Sequence, residues 1–93
     1  MSTHTGVVKT PDVLGGRPRI EGVRVSVRQV GDYVRRQDMD VETVMDELRL
    51  SREQVEAALE YYDDHPSEME TLRLLRKARI QQVREQSRSS PRP

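Results

Sequence analysis

The stretch Gly15–Val27, which reads GGRPRIEGVRVSV, decides how the chain begins to fold. Gly15 and Gly16 permit backbone angles that residues with a Cβ avoid, and the proline after them fits only an edge or the first position of a strand. After Gly22, apolar and polar residues alternate, as they do in a half-buried strand. We therefore predict a tight strand-turn-strand element. Its second strand carries the alternating residues Val23, Val25 and Val27.

Helical signals begin where this element ends. Ser26 stands at a position typical of a helix N-cap, and a first helix is predicted over residues 27–36. Gly31 inside that helix costs about 1 kcal/mol relative to Ala, which indicates that a neighbouring backbone approaches it closely. Upstream, residues 7–9 are predicted to form a short edge strand. The apolar stripe of the first helix consists of Val27, Val30 and Val34.

Two more helices follow in the acidic middle of the chain. Asp40 is a suitable N-cap for a second helix ending near Leu48, and Ser51 with Gln54 forms a capping box for a third. Two short helices joined by a tight turn behind a first helix have the outline of a helix-turn-helix core, but three-helix packing without DNA binding has the same outline. The apolar stripe of the second helix consists of Val41, Val44, Met45 and Leu48, and that of the third consists of Val55, Ala58, Leu59 and Tyr62.

A fourth helix is predicted over residues 66–85, because Ser67 and Glu70 repeat the capping-box pattern. We interpret His65 before it as a turn residue, since no second His or nucleophile accompanies it. The apolar stripe of this helix thins while basic residues accumulate, which is typical of a partner-binding segment. The alternative is a solvated helix lying on its own domain or on a dimer mate. The predicted partner-binding residues are Leu72, Leu75, Arg76, Arg79, Ile80, Val83 and Arg84.

The predicted fold is mostly α with a short N-terminal β element. A helix-turn-helix-like three-helix core occupies residues 7–65, and the C-terminal basic helix occupies residues 66–85. Residues 1–6 and 86–93 are polar, and we expect both to be disordered tails. Because so short a chain buries a thin core, we expect a homodimer or another partner to complete it.

Charge is arranged in blocks, although the net charge is zero. Residues 1–36 carry seven Lys or Arg and three acidic residues. Residues 37–70 carry two basic and twelve acidic residues, and residues 71–93 carry seven basic residues and one acidic residue. Separate blocks indicate separate surfaces with separate partners, unless the blocks pair with each other across a dimer.

Composition excludes several kinds of site. The 93 residues include no Cys, so a disulfide, a thiol nucleophile and a thiolate metal site are excluded. No apolar run approaches the roughly 18 residues of a membrane span, and no signal peptide is present, so we expect no membrane association and a cytoplasmic location. We predict no catalytic residues, no metal site and no cofactor, and we do not expect an enzyme.

The N-terminal basic block is a candidate for DNA binding. In an ordinary helix-turn-helix the second helix of the pair enters the major groove. Here that helix offers Arg52 together with three glutamates, which phosphates would repel. A basic face on the strand element is the alternative, although the same arginines could pair with acidic helices of a second subunit. The predicted DNA-binding residues are Arg17, Arg19, Arg24, Arg28 and Arg52.

These motifs together resemble domain-of-unknown-function family 433. The pattern G-G-x-P-x-I-x-G-x-R-V-x-V at residues 15–27 is followed by A-A-L-x-Y-Y at residues 57–62 and D-H-P at residues 64–66. The resemblance extends over about residues 7–70, with Val23 where the family usually has Thr. Members are small prokaryotic proteins, many of them antitoxin-like (VapB-like) and found beside a PIN-like nuclease toxin.

The resemblance implies a type II antitoxin of a toxin-antitoxin system. Such a protein would neutralise a PIN-like nuclease through its C-terminal helix, and would bind its own double-stranded promoter DNA as a dimer to regulate transcription. The alternatives are a stand-alone DNA-binding transcription regulator and a structural protein-protein interaction module. DNA binding that survives loss of the fourth helix favours the regulator, and the absence of any salt-sensitive DNA affinity favours the structural module.

Overall fold

Two short strands open the fold. The structure, a computed structural model, describes residues 6–89 and the side chains of residues 6–83. β1 (Val7–Val8) pairs antiparallel with β2 (Arg19–Ile20), which confirms the predicted edge strand. Residues 1–5, predicted to be disordered, lie outside the described part of the chain.

Glycines shape the connections of this sheet. Gly15 and Gly16 have φ angles of 64° and 81°, and Gly22 has 87°, so all three adopt the left-handed region that side chains with a Cβ avoid. Gly6 was predicted to belong to the N-terminal tail. Its carbonyl instead accepts a hydrogen bond from the Glu21 N–H at 2.9 Å, so Gly6 belongs to the domain.

The alternating valines after Gly22 do not form the predicted second strand. Only Ser26 makes an isolated bridge, to Arg19, and Val27 is already the first residue of a helix. The Ser26 hydroxyl accepts a hydrogen bond from the Gln29 N–H at 3.1 Å, which confirms the predicted N-cap. The strand prediction was wrong because the helix begins where the strand would have continued.

The first helix changes its pitch halfway. α1 (Val27–Gly31) continues directly into a π-helical segment (Asp32–Arg36). A Cβ added at Gly31 would overlap the ring of Tyr62, so an aromatic ring requires this glycine. The sequence predicted a close approach at Gly31 but assigned it to a neighbouring backbone, and that assignment was wrong.

The next two helices form the predicted pair. α2 (Val41–Leu48) is followed by its C-cap residue Arg49, which adopts a left-handed φ of 57° at a position where helices commonly have Gly. α3 (Arg52–Asp64) begins with both hydrogen bonds of the capping box between Ser51 and Gln54. α3 packs against the sheet, α1 and α2, and therefore lies at the centre of the fold.

α4 (Pro66–Ser89) follows directly after His65, the predicted turn residue at the end of α3. A proline at the first helical position is favoured because its missing N–H would have no partner there. The helix passes residue 85, its predicted end, since neither Pro nor Gly occurs before Pro91. Residues 90–93 of the predicted tail lie outside the described residues.

The hydrophobic core lies between the sheet, α1, α2 and α3, and the start of α4 joins it. Met69 of α4 is fully buried, so the predicted boundary after residue 65 falls inside the packed domain. The mostly helical fold with a short N-terminal sheet is confirmed. None of the helices described for this chain is long and apolar enough to cross a membrane. The core residues are Ile20, Val27, Val30, Val44, Leu50, Val55, Ala58, Leu59, Tyr61, Tyr62 and Met69.

Candidate partner-binding helix and the cleft at its base

The start of α4 is anchored by a polar network around Asp32. Asp32 is 8% exposed, and its carboxylate accepts hydrogen bonds from Arg28 at 2.7 Å and from the Tyr62 hydroxyl at 2.8 Å. Arg73 of α4 donates from Nε to the same carboxylate at 3.2 Å and from Nη2 to the Tyr62 hydroxyl at 2.9 Å. Burial and the hydrogen bond to Asp32 raise the pKa of Tyr62, so its hydroxyl remains a donor.

This network joins the π-helical segment, α3 and α4. A buried carboxylate is tolerated because it is paired and hydrogen-bonded, and removing one of its partners is costly. This network was not predicted from the sequence. A signal was present, since Arg28 and Asp32 are spaced i, i+4 on one helix and Asp32 is one of few acidic residues in a basic block.

A second polar contact ties α4 to α3 and to Lys9, the residue after β1. Glu68 accepts a hydrogen bond from Lys9 Nζ at 2.7 Å and another from the Tyr61 hydroxyl at 2.6 Å. Partial burial alone would raise the pKa of Glu68, but the hydrogen bonds from Lys9 and Tyr61 outweigh it and lower that pKa. The His65 ring stacks on the Tyr61 ring with 4.0 Å between centroids, which is a structural role.

After Arg73, the large apolar side chains of α4 are exposed to solvent. Leu74 and Leu75 are each 58% exposed, Ile80 is 40% exposed and Val83 is 59% exposed. Across residues 6–83, these four are the exposed large hydrophobic side chains. Basic side chains lie among them on the same segment, at Arg76, Lys77 and Arg79.

One face of α4 runs from the core into solvent. Met69, Leu72, Arg76, Ile80 and Val83 follow one another at intervals of three or four residues, so they share a face. The first is buried and the second is half-buried against the core, whereas the last two are exposed. The stripe that attaches α4 to the domain therefore continues past the point where the domain can cover it.

The predicted partner-binding residues are divided by this transition. Leu72 packs against the domain core, so it contributes to folding. The side chain of Arg84 lies outside the described side chains. Leu74 is exposed yet was missed, because it lies off the apolar stripe that guided the prediction. The remaining predicted residues, all exposed on α4, are Leu75, Arg76, Arg79, Ile80 and Val83.

A polar cleft of about 380 Å³ lies at the base of the exposed half, between the π-helical segment and α4. The side-chain amide of Gln29 donates to the Tyr33 hydroxyl at 3.4 Å on one of its walls. No group of three or more His, Asp or Glu side chains suited to a metal ion occurs in the part of the chain that the structure describes. The residues that line the cleft are Arg28, Gln29, Asp32, Tyr33, Gln37 and Arg76.

Arg19, one of the predicted DNA-binding residues, serves the glycine element internally. Its guanidinium donates to the carbonyls of Ile20 at 3.4 Å and Val23 at 3.1 Å, and to the Thr10 hydroxyl at 3.1 Å. Its Nε is buried without a hydrogen-bond partner among the described residues. This side chain therefore holds the turn after β2 against the loop that precedes the strand.

The other predicted DNA-binding residues occupy different surroundings. Arg28 is 16% exposed in its ion pair with Asp32, and Arg52 pairs with Glu42 at 3.3 Å across α2 and α3. Arg17 is half-buried and Arg24 is exposed. The sequence located these positive charges, but it did not reveal which of them have acidic partners within the domain.

Comparison with known proteins identifies the family. The sequence profile of DUF433, described as a protein of unknown function, matches residues 7–62. The chain belongs to the DUF433 family. It is similar to the crystal structure of a DUF433 member protein from Anabaena variabilis, with a TM-score of 0.64 and 28% sequence identity. That match covers 71% of this chain, which spans 65% of the other chain's length. No curated protein matches the chain.

The DUF433 match ends before α4 begins. Both Gly31 and Tyr62, which contact each other, lie within the matched residues, whereas Arg73, which completes the Asp32 network, lies beyond them. The exposed half of α4 and one wall of the cleft therefore belong to a segment outside the family match.

Proposed function

We propose that this DUF433 protein is a type II antitoxin that binds and neutralises a PIN-like nuclease toxin through the exposed half of α4. The observation that carries the proposal is the clustering of exposed apolar side chains among basic ones on that single helical segment. Exposed large apolar side chains gathered on one helical segment are typical of a binding site for another protein. The resemblance to antitoxin-like proteins supplies the class of partner.

Charge and hydrophobicity together argue against a second copy of this chain as the occupant. Residues 71–93 carry seven basic residues and one acidic residue, so two such segments repel each other. The acidic surface of α2 and α3 offers opposite charge but, across the described side chains, no exposed large hydrophobic residue. The partner must combine an apolar groove with carboxylates, and a different protein fits that requirement best.

A PIN-like nuclease has the required chemistry. It gathers carboxylates around a metal ion in a cleft that binds RNA. Leucine and isoleucine side chains of α4 would fill an apolar groove beside that cleft, and guanidinium groups would pair with carboxylates in bidentate geometry. A helix laid across the cleft would exclude RNA.

The proposal includes binding of the protein's own promoter as a homodimer in the cytoplasm. α3 presents Glu53, Glu56 and Glu60 on its exposed surface, so contact with DNA through the glycine element is favoured, with Arg24 as its exposed cation. An Arg24→Gln variant should bind promoter DNA more weakly, with a shallower salt dependence, in an electrophoretic mobility assay. Unchanged DNA affinity would contradict this contact.

Co-expression tests the toxin-binding proposal. The product of the adjacent reading frame is tagged, and the full chain is expected to co-purify with it through high salt. A variant truncated after Ala78 lacks Ile80 and Val83 but keeps Leu72 and Arg73, which contact the domain. It should fold and fail to co-purify. Truncation after Met69 is a poorer test, because it also removes those two contacts.

A matched control separates loss of binding from loss of chain length. Truncation after Ser89 removes only residues 90–93 and leaves α4 complete, so this variant should co-purify like the full chain. Equal co-purification of the variant truncated after Ala78 would rule out Ile80 and Val83 as binding residues, since that variant keeps Leu74 and Leu75. Failure of the full chain to co-purify, with both proteins soluble, would rule out that pair as antitoxin and toxin.

A further inference from the structure

We infer that the polar cleft between the π-helical segment and α4 is an anion subsite that takes one side-chain carboxylate of the partner. The role of this subsite in partner binding rests on the proposed function. Its affinity for a carboxylate can be tested without any partner. Two guanidinium groups, two carboxamides, a phenol and the carboxylate of Asp32 line the cleft. A lining of this kind disfavours an apolar ligand and suits a charged acceptor of hydrogen bonds.

Most charges around the cleft already have opposite partners. Arg28 pairs with Asp32, and Arg73 pairs with both Asp32 and Glu70. Each oxygen of the Asp32 carboxylate accepts a hydrogen bond from an arginine, so this lining residue repels an incoming anion only weakly. Arg76 has no ion pair with any residue in the range 6–83 and supplies the uncompensated positive charge.

One uncompensated cation matches a singly charged ligand. A carboxylate carries one negative charge, and its planar pair of oxygens fits the fork of a guanidinium. A phosphate dianion would leave its second charge without a partner in a partly desolvated cleft. The cleft therefore selects a carboxylate, and in a protein partner that group is an Asp or Glu side chain.

The π-helical segment positions the neutral donors. The Gln37 N–H donates to the Asp32 carbonyl, five residues back, at 3.0 Å, which closes the π turn and holds Gln37 beside the cleft. The amide of Gln29 is oriented by its hydrogen bond to the Tyr33 hydroxyl. π-Helical turns are rare in proteins, and those that occur are frequently found at functional sites. The π turn is therefore an independent indication that the cleft is a binding site.

Acetate titration of the full chain tests the site without any partner. In a buffer low in chloride, the side-chain amide signals of Gln29 and Gln37 in ¹H–¹⁵N NMR spectra should shift saturably as acetate is added. The Arg76→Gln variant should bind acetate about tenfold more weakly or not at all. The matched Arg79→Gln variant, which removes an exposed arginine that does not line the cleft, should behave like the unmodified protein.

Phosphate provides the second arm of the titration. At pH 8, where phosphate is mostly dianionic, its saturable shifts should require higher concentrations than those of acetate. Tighter binding of phosphate would overturn the assignment to a carboxylate. Shifts that do not saturate, or equal behaviour of the Arg76→Gln and Arg79→Gln variants, would overturn the site itself.

The two proposals fail in distinguishable ways. If acetate binds through Arg76 but no nuclease co-purifies, the anion subsite remains and the antitoxin assignment fails. If the nuclease binds, Gln37→Leu should weaken its affinity while leaving the exposed apolar residues of α4 intact. Nuclease binding that is insensitive to Gln37→Leu, with no saturable acetate shift, would remove the cleft from the interface.

Discussion

The two halves of α4 differ in what their side chains contact, although one apolar stripe runs through both. In the anchored half, residues 66–73, Met69 is buried and Arg73 bonds to Asp32 and Tyr62. In the exposed half, residues 74–83, the large apolar side chains face solvent. Residues on the same apolar stripe are therefore packed against the core in one half and exposed to solvent in the other.

The difference shows what a hydrophobic stripe does and does not imply. Burial stabilises in proportion to the apolar area removed from water, and that area depends on what stands opposite the helix. Among the described side chains, the domain covers large apolar residues of α4 only within residues 66–73. An apolar residue in the anchored half therefore contributes to the free energy of unfolding, whereas one in the exposed half contributes little to it.

The largest expected effect tests the anchored half directly. Met69→Ala should lower the free energy of unfolding by about 3 kcal/mol, because it opens a cavity under α4. The same truncation at the exposed Leu74 should change that free energy by less than about 0.5 kcal/mol. Urea unfolding monitored by circular dichroism measures both. Similar losses in the two variants would mean that the halves do not differ in burial.

A smaller effect is expected from the polar anchor. Arg73→Gln should destabilise the protein by about 2 kcal/mol, since Asp32 loses one charged donor but retains Arg28 and Tyr62. Arg79→Gln, six residues along the same helix, should leave the unfolding midpoint nearly unchanged. If Arg79→Gln proves as destabilising as Arg73→Gln, the exposed half must pack against the domain in solution.

The smallest expected effect concerns Glu68 and pH. The pKa of Glu68 is lower in the folded protein than in the unfolded chain, so ionised Glu68 stabilises the fold. This stabilisation is fully present above the unfolded pKa of roughly 4.3 and is lost as the pH falls through the folded pKa. Glu68→Gln should therefore cost about 1 kcal/mol at pH 7 and progressively less below pH 4. Urea unfolding at pH 7, 5 and 3 measures the difference. A pH-independent difference would assign the loss to packing.

Functional residues were harder to predict than local structure. Of the residues predicted on α4, the exposed positions Leu75, Arg76, Arg79, Ile80 and Val83 follow from charge and period, which are visible in the sequence. Leu72 instead packs against the core, and the exposed Leu74 was missed. The role of Arg19 was not visible, since its partners lie in loops and turns whose geometry depends on the folded domain. The pairing of Arg28 with Asp32 was signalled by their i, i+4 spacing, but its burial under α4 was not. The cleft was missed for the same reason, as its walls come from two elements far apart in the chain.

Local sequence alone determined the caps of α1 and α3, the glycine turns, the apolar periods and the blocks of charge. Each depends on a few neighbouring residues, as at Ser26 and the capping box of α3. Local sequence did not determine the other two caps, since Asp40 makes no capping hydrogen bond and α4 begins at Pro66, before the predicted Ser67–Glu70 capping box. Only the tertiary structure decided that the ring of Tyr62 occupies the space at Gly31 and that Arg73 reaches Asp32, 41 residues away. The physical reason is that such contacts depend on how whole elements pack, which no local propensity encodes.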